Sequence, residues 1–186
     1  MSMRYSDTDR IYDELLLTRI QAGDRRAGER LAARWYPRLM RTACRLLRDE
    51  EQARAAVQEA WSGICKGWRG LRDPSRFPAW AYTILHRKCA DQIGKNQKNR
   101  SLHIVAAETM ETSVAPRGED KVTIDQAFDR LSDDHRTAAL LYFGEGLTIK
   151  EIAEVTGTAI GTAKSRLFHA RQQLKAALND EPIEGE

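Results

Sequence analysis

The chain has 186 residues, enough for one ordinary domain or two small ones, and 30 Lys and Arg against 27 Asp and Glu give a formal net charge of +3. Charged residues make up 31% and hydrophobic residues 41%, a globular composition that excludes the disordered and fibrous classes. No stretch approaches the roughly 18 uncharged apolar residues of a membrane span, and charges near the start argue against a secretory signal peptide. Three widely spaced cysteines indicate reduced thiols. We therefore expect a cytosolic, all-α protein.

Three apolar stripes at helical spacing dominate the first half of the chain. They cover residues 31–47, 57–68 and 80–89, and in each the apolar positions recur in three- to four-residue steps. Between the last two, two dipeptides that end in proline interrupt the pattern over residues 70–78, because the residue before proline disfavours helix. No period-two alternation of useful length occurs, so no sheet is predicted.

A segment with little periodicity separates these stripes from the second half. Residues 101–121 are rich in small and polar side chains, which predicts a flexible linker between a domain of residues 1–100 and a domain of residues 122–186. Two short helices are predicted after the linker. They are separated by Ser132-Asp133, and either residue can cap the second helix.

The charges are unevenly distributed. Residues 61–100 contain nine basic residues and two acidic ones, and residues 157–178 contain four basic residues, one histidine and no acid. Residues 101–120, between them, carry a balance of −3. Two basic segments on either side of an acidic spacer indicate two surfaces that face a polyanion, with ordinary solvated helix faces as the alternative.

Residues 148–174 have the pattern of a helix-turn-helix. Thr148 and Glu151 fit a capping box, Gly157 can end the first helix in the left-handed conformation, and Thr158 can cap the second helix. The apolar stripe of the second helix is Ile160, Ala163, Leu167, Ala170 and Leu174. A basic second helix after a glycine turn is typical of a motif that enters the major groove. A helical hairpin used only for packing is the alternative.

The same stretch, LTIKEIAEVTGTAIGTAKSRLFHARQQL (residues 147–174), closely resembles region 4 of bacterial sigma-70-type transcription factors of the small extracytoplasmic-function (ECF) group. LSDDHR at 131–136 resembles the opening of the preceding helix of that region. The resemblance implies that the second helix reads the −35 promoter element. The matching DNA-facing positions are Thr162, Lys164, Ser165, Arg166, Phe168, His169 and Arg171. Lys and Arg suit guanine edges and phosphates, and Phe168 suits either a thymine methyl group or a partly exposed core position.

The first domain resembles region 2 of the same group through YPRL at 36–39, VQEAW at 57–61 and FPAW at 77–80. The resemblance implies docking on the clamp coiled coil of core RNA polymerase, with the flap region as a second contact, and melting of the −10 element by capture of flipped bases. The implied docking residues are Val57, Gln58, Glu59 and Trp61. The implied −10 residues are Trp80, Arg87, Lys88, Asp91 and Lys95. For the tryptophans, which lie on the apolar stripes, a core position is favoured over base stacking.

Three positions depart from the family pattern. Ala53-Arg54-Ala55-Ala56 replaces an acidic pair at the docking surface, Arg87 replaces an Asn, and Gly94 replaces an Arg. The departures predict either a different −10 specificity or a loss of melting.

The four histidines show no metal-ligand spacing, and neither a phosphate-binding loop nor a nucleophile elbow occurs. No catalytic site, metal or cofactor is therefore predicted. The resemblance implies an alternative sigma factor that binds core RNA polymerase and promoter DNA and is masked by an anti-sigma factor. Two alternatives are a sigma-like decoy that sequesters an anti-sigma factor and a stand-alone helix-turn-helix repressor, which leaves the first domain unexplained.

Overall fold

A computed structural model of the protein describes residues 5–104 and 123–179, with the side chains of 5–95 and 123–178. All regular structure in these ranges is helical, which confirms the predicted all-α fold with two helical domains. The first domain contains α1 (Asp7–Gln21), α2 (Arg25–Leu47), α3 (Glu50–Gly67) and α4 (Phe77–Ile104). The second contains α5 (Ile124–Asp129), α6 (Asp133–Ala139), α7 (Ile149–Thr156) and α8 (Ile160–Asn179). Most of the predicted linker lies outside the described residues, and its first four residues continue α4.

Helix α1 has no counterpart in the sequence-based prediction. Ser6 caps it by accepting a hydrogen bond from the Asp9 backbone amide, and the Asp9 carboxylate accepts one from the Ser6 amide. Leu16, Leu17 and Ile20 are buried on one side of the helix. The sequence does contain two signals for this helix, a short apolar stripe and the Ser6–Asp9 capping pair. Periodicity alone did not reveal the helix, because charged residues surround the stripe.

Helices α2, α3 and α4 form the core of the first domain along the predicted stripes. Trp35 is fully buried, with the rings of Phe77 and Tyr82 at centroid distances of 4.9 and 5.6 Å. Ala53 and Ala56, two of the residues that depart from the family pattern, are fully buried on α3. The predicted break before α4 ends earlier than expected. The helix begins at Phe77, so Pro78 lies in its first turn, where a backbone N–H has no intrahelical acceptor.

The second domain confirms most of the predicted caps and corrects others. Ser132, not Asp133, caps α6, and the Thr148–Glu151 capping box is formed on α7. Gly157 ends α7 at φ 65°. The prediction that Thr158 caps α8 is wrong, because α8 begins at Ile160 and the Thr158 hydroxyl lies 3.0 Å from the Thr156 hydroxyl.

Ile160 is also a correction. It belongs to the predicted apolar stripe of α8, but its side chain is 55% exposed because it stands in the first turn of the helix, beyond the hairpin contact. Ala163, Leu167 and Ala170 of the same stripe are buried as predicted.

One hydrophobic core runs through both domains. Leu141, Leu147 and Ile152 of the second domain are buried in the same cluster as Trp35 and Phe77 of the first. A smaller cluster belongs to the second domain alone and joins α5, α6 and α8. The two domains are therefore packed against each other, with α4 against α7 as a principal contact.

Candidate nucleic-acid interface

Helix α8 presents the predicted DNA-facing side chains on its outer face. Burying Ala163, Leu167 and Ala170 against the rest of the domain turns the intervening positions outward, as a 3.6-residue period requires. Arg166 is half-buried. Phe168 is 57% exposed, so its alternative role as a core residue is not supported. The remaining exposed positions are Thr162, Lys164, Ser165, His169 and Arg171.

Two of these side chains are held by the first turn of α6. The Arg166 guanidinium donates a hydrogen bond to the Asp134 carboxylate. The His169 ring stacks on His135, with centroids 5.8 Å apart, and His135 Nδ1 lies 3.4 Å from Gln173 Oε1. Sequence reasoning missed these supports, because residues 32 and 34 positions apart show no local pattern that would pair them.

In the first domain, a carboxylate lies among the predicted −10 residues. Glu59 on α3 accepts a contact of 3.0 Å from Lys88 Nζ and one of 3.8 Å from Lys95 Nζ. Asp91 Oδ2 lies 3.8 Å from the same Lys88 nitrogen. The Lys88 hydrogen bond lowers the pKa of Glu59. The structure thus joins a residue predicted for polymerase docking to the predicted −10 surface.

On another side of α3, Trp61 and Trp68 line a groove shared with α1 and α2. Trp61 is half-buried, with Tyr36 and Trp68 packed edge-on at centroid distances of 6.4 and 6.0 Å. The groove has a volume of about 340 Å³, and Gly28 lies at its base under the Trp68 ring. Trp80 is also half-buried and covers Gly67, where an added Cβ would lie 2.7 Å from the indole.

Val57 is a correction to the predicted docking set. Its side chain is fully buried in the core of the first domain, so it has no surface to offer a partner. Gln58, Glu59 and the predicted −10 residue Arg87 are exposed. In the VQEAW motif, Val57 therefore packs into the core, whereas Gln58 and Glu59 face solvent.

Two matches to known sequence families cover about two thirds of the chain. Residues 31–99 match Sigma-70 region 2, and residues 121–174 match Sigma-70, region 4. The chain belongs to the sigma-70 family. Both matches coincide with the segments that carry the candidate surfaces on α3, α4 and α8.

Relatives place this sigma-70 family member in the ECF group. It is 28% identical to the RNA polymerase sigma-H factor of Pseudomonas aeruginosa, over 89% of this chain and 93% of the relative. It is also 28% identical to the ECF RNA polymerase sigma factor SigM of Mycobacterium tuberculosis, over 89% of this chain and 84% of the relative.

Solved structures show the same fold. The sigma factor RpoE of Bartonella quintana, in complex with the anti-sigma factor NepR, superposes with a TM-score of 0.66 at 26% identity, covering 83% of this chain and 98% of that one. CnrH, in complex with the cytosolic domain of CnrY, gives a TM-score of 0.63 at 22% identity, covering 92% and 99%. Within the described residues of this sigma-70 family member, no helix is long and apolar enough to cross a membrane.

Proposed function

We propose that this protein is an alternative sigma factor that binds core RNA polymerase and directs it to promoters whose −35 and −10 elements its two domains recognise. The observation that carries the proposal is the outer face of α8. It is exposed, basic and without acidic residues, and it follows a capped helix and a left-handed glycine turn in the geometry of a helix that enters the major groove.

On this surface the residue types suit distinct parts of DNA. Lys164 is exposed near the start of α8, where recognition helices reach base edges, and an amine there can bind a guanine. Arg166 is held by Asp134, which orients its guanidinium for a phosphate or a base edge. Phe168 offers an exposed apolar ring for a thymine methyl group.

The −10 element requires a different chemistry, because flipped bases need a basic groove with aromatic or polar pockets. Arg87, Lys88 and Lys95 on α4 provide the charge beside the half-buried Trp80. Glu59 competes with DNA phosphates for two of these lysines, so binding of DNA on this surface exchanges the Glu59 contacts for phosphate contacts.

For polymerase docking, the aromatic groove beside α3 supports a helical partner such as the clamp coiled coil. Trp61 lines the groove and Gln58 lies one turn before it on the same helix, whereas Glu59 faces the lysines of α4. Arg54 pairs with Glu50 at 2.7 Å, in the place of the family's acidic pair, so the charge at this edge differs from the usual pattern.

Regulation by an anti-sigma factor belongs to the same proposal. The sigma factor of Bartonella quintana that shares this fold was solved with an anti-sigma factor bound. We infer that a comparable partner masks this protein until a stress signal releases it.

The proposal is tested by run-off transcription from pooled genomic fragments, using core polymerase with and without the protein. Discrete new transcripts that share an upstream −35 and −10 pair support it. If no transcript appears and no complex with active core enzyme forms, the proposal fails and the decoy that sequesters an anti-sigma factor becomes the better hypothesis.

A substitution on α8 tests the assignment of the −35 surface. Lys164→Ala is expected to cost about 1–3 kcal/mol of binding free energy at the −35 site if the amine contacts a base. The measurement is the affinity for duplexes that carry the transcribed promoters. Lys66→Ala, an exposed lysine on α3, is the control and should leave −35 affinity unchanged. Equal affinities for both variants would show that Lys164 does not contact the −35 element.

A further inference from the structure

Helix α2 is the most basic helix of the protein, although it lies outside the two basic segments that the sequence analysis identified. It contains seven arginines and one acidic residue, Glu29. Its net charge is therefore 7 − 1 = +6, against +3 for the whole chain. This concentration of arginine on one helix calls for a partner of opposite charge.

Carboxylates within the protein take up three of these arginines. Arg34 pairs with two aspartates of α1, and Arg38 and Arg45 pair with carboxylates of the second domain. Among the described residues, no ion pair reaches the other four arginines of the helix. Three of these four, Arg26, Arg30 and Arg41, are exposed to solvent along the helix.

The three arginines lie on one face of α2. The exposed residues Ala33 and Pro37 stand between them, and we name these five positions the α2 arginine stripe. At 3.6 residues per turn, the five positions cover about 80° of the circumference of the helix and about 22 Å of its length. Arginine is thus the only charged residue type on a continuous strip of surface.

This stripe points directly away from the core of the first domain. Leu31, Trp35 and Leu39, on the opposite face of α2, are fully buried. Glu29, the single acidic residue of the helix, lies to one side and lines the groove that contains Trp61 and Trp68. The outermost surface of α2 therefore combines full access with a charge that no carboxylate of the helix offsets.

The chemistry of the stripe matches a phosphate backbone. Over about 22 Å of its axis, duplex DNA carries about 13 phosphate charges. Guanidinium groups bind phosphate through paired, charge-assisted hydrogen bonds. The short side chains of Ala33 and Pro37 leave room for a backbone to approach the middle of the helix. A row of arginines at this spacing can therefore contact several phosphates at once.

A protein partner fits the stripe less well. The centres of protein–protein interfaces are enriched in aromatic and other large apolar side chains that fill pockets. None of the five positions carries such a side chain. Tyr36, the exposed aromatic residue of α2, faces Trp61 with ring centroids 6.4 Å apart, on the groove side of the helix. The apolar anchors of this region thus belong to the groove and not to the stripe.

The stripe is also separate from the surfaces assigned under the proposed function. Those surfaces lie on α3, α4 and α8. The match to Sigma-70 region 2 begins at residue 31, so Arg26 and Arg30 precede it. The family match therefore does not account for the stripe.

We propose that the α2 arginine stripe is a third DNA-binding surface, which binds the phosphate backbone of duplex DNA without reading its sequence. Contacts to phosphates add affinity and salt dependence but carry no sequence information. The proposal goes beyond the proposed function, because the stripe requires neither a −35 nor a −10 element in the DNA.

The test measures how the affinity of the full-length protein for a random-sequence duplex depends on salt. The variant Arg26→Gln, Arg30→Gln, Arg41→Gln removes three charges and keeps side chains that suit a helix. Each phosphate contact contributes about 0.9 to the slope of log affinity against log salt. Raising the salt from about 50 to about 200 mM should therefore weaken the wild type about 40-fold more than it weakens this variant.

Two matched variants control for net charge and for folding. Arg54→Gln, Lys66→Gln, Arg130→Gln removes three charges at exposed positions on other elements and should keep the wild-type slope. Arg26→Lys, Arg30→Lys, Arg41→Lys changes the same positions as the test variant but retains their charge, so its slope should also match that of the wild type. Equal slopes for the glutamine variant of the stripe and the net-charge control overturn the proposal, and so does a lysine variant that loses as much slope as the glutamine variant.

A binding assay with core RNA polymerase, without DNA, tests the competing partner. If the glutamine variant of the stripe binds polymerase more weakly while its salt slope for duplex DNA stays at the wild-type value, the stripe binds protein and the proposal is wrong. Run-off transcription keeps this result apart from the proposed function. If the wild type directs no transcription but the stripe variant loses slope, the proposed function fails and the DNA-binding stripe stands. Transcription by the wild type with an unchanged slope in the stripe variant defeats only the stripe.

Discussion

A single buried aspartate connects α1 with α2 and with Tyr5, which precedes α1. Asp13 on α1 is 1% exposed and accepts hydrogen bonds from the Trp35 indole at 2.7 Å, the Tyr5 hydroxyl at 2.8 Å and Arg34 Nε at 2.9 Å. Burial and the Asp13 charge raise the pKa of Tyr5, which keeps the phenol protonated as a donor. The carboxylate thus satisfies the only polar side-chain atom of a fully buried tryptophan, and its own charge is balanced by Arg34.

Removing this carboxylate is expected to destabilise the protein strongly. Asp13→Ala leaves the Trp35 indole and the Tyr5 hydroxyl without an acceptor and should lower the free energy of unfolding by about 3 kcal/mol. Urea denaturation measures the loss. The neighbouring Glu14→Ala is the control, and its effect should stay within about 0.5 kcal/mol. Similar losses for both variants would mean that the hydrogen bonds of Asp13 contribute little.

At the scale of the helix, the start of α1 depends on a charged capping box. Hydrogen bonds from the Ser6 amide, and from Arg34 at 2.8 Å, lower the pKa of Asp9 to about 2. Because this pKa lies below the unfolded value of 3.8, the stabilisation is complete above about pH 4 and is lost as the pH falls towards 2. The cap of α1 is therefore acid-sensitive.

We expect Asp9→Asn to be less stable than the wild type near pH 6, and the difference to shrink steadily as the pH falls from about 4 towards 2. Urea denaturation at a series of pH values measures both. Asp7→Asn, in the same turn, makes the same change in charge and serves as the control. A difference that is constant with pH would show that the Asp9 charge does not stabilise the helix.

On the scale of the whole molecule, a glycine marks a close approach of the two domains. Gly146 has φ +67°, and an added Cβ would lie 2.9 Å from the Tyr5 carbonyl oxygen. Arg10 donates to the Gly146 carbonyl at 3.2 Å from the same side. Gly157 has almost the same backbone, φ +65°, with nothing within 4 Å of a Cβ. Comparing alanine substitutions at the two glycines therefore distinguishes the cost of left-handed backbone strain from the cost of a contact between the domains.

Alanine substitution at both positions is expected to show that difference. Gly157→Ala should lose about 1 kcal/mol of unfolding free energy from left-handed strain alone. Gly146→Ala should lose more, because its methyl group also pushes against the backbone of the first domain. Urea denaturation measures the losses, and small-angle X-ray scattering should show expansion for Gly146→Ala only. Equal losses without expansion would argue against tight docking of the domains at this turn.

Local patterns in the sequence determined much of this protein. The stripes of α2, α3 and α4, the capping box at Thr148, the turn at Gly157 and the basic face of α8 depend on residues within a few positions of one another, so periodicity and capping chemistry reveal them. The same local motifs also carried the resemblance to the sigma-70 family, which two family matches confirmed.

Tertiary structure alone decided what depends on distant pairs. The burial of Glu145 against Arg38, the support of Arg166 by Asp134 and the hydrogen bond from Arg34 to Asp13 join residues between 21 and 107 positions apart. For the same reason, Val57 was predicted to be a surface residue but is buried, and Ile160 was predicted to be buried but is exposed. An apolar stripe shows which face of a helix is apolar, but not which part of that face a neighbouring helix covers. Helix formation is governed by near neighbours, whereas burial, ion pairing and the docking of the two domains are set by surfaces that meet only when the chain is folded.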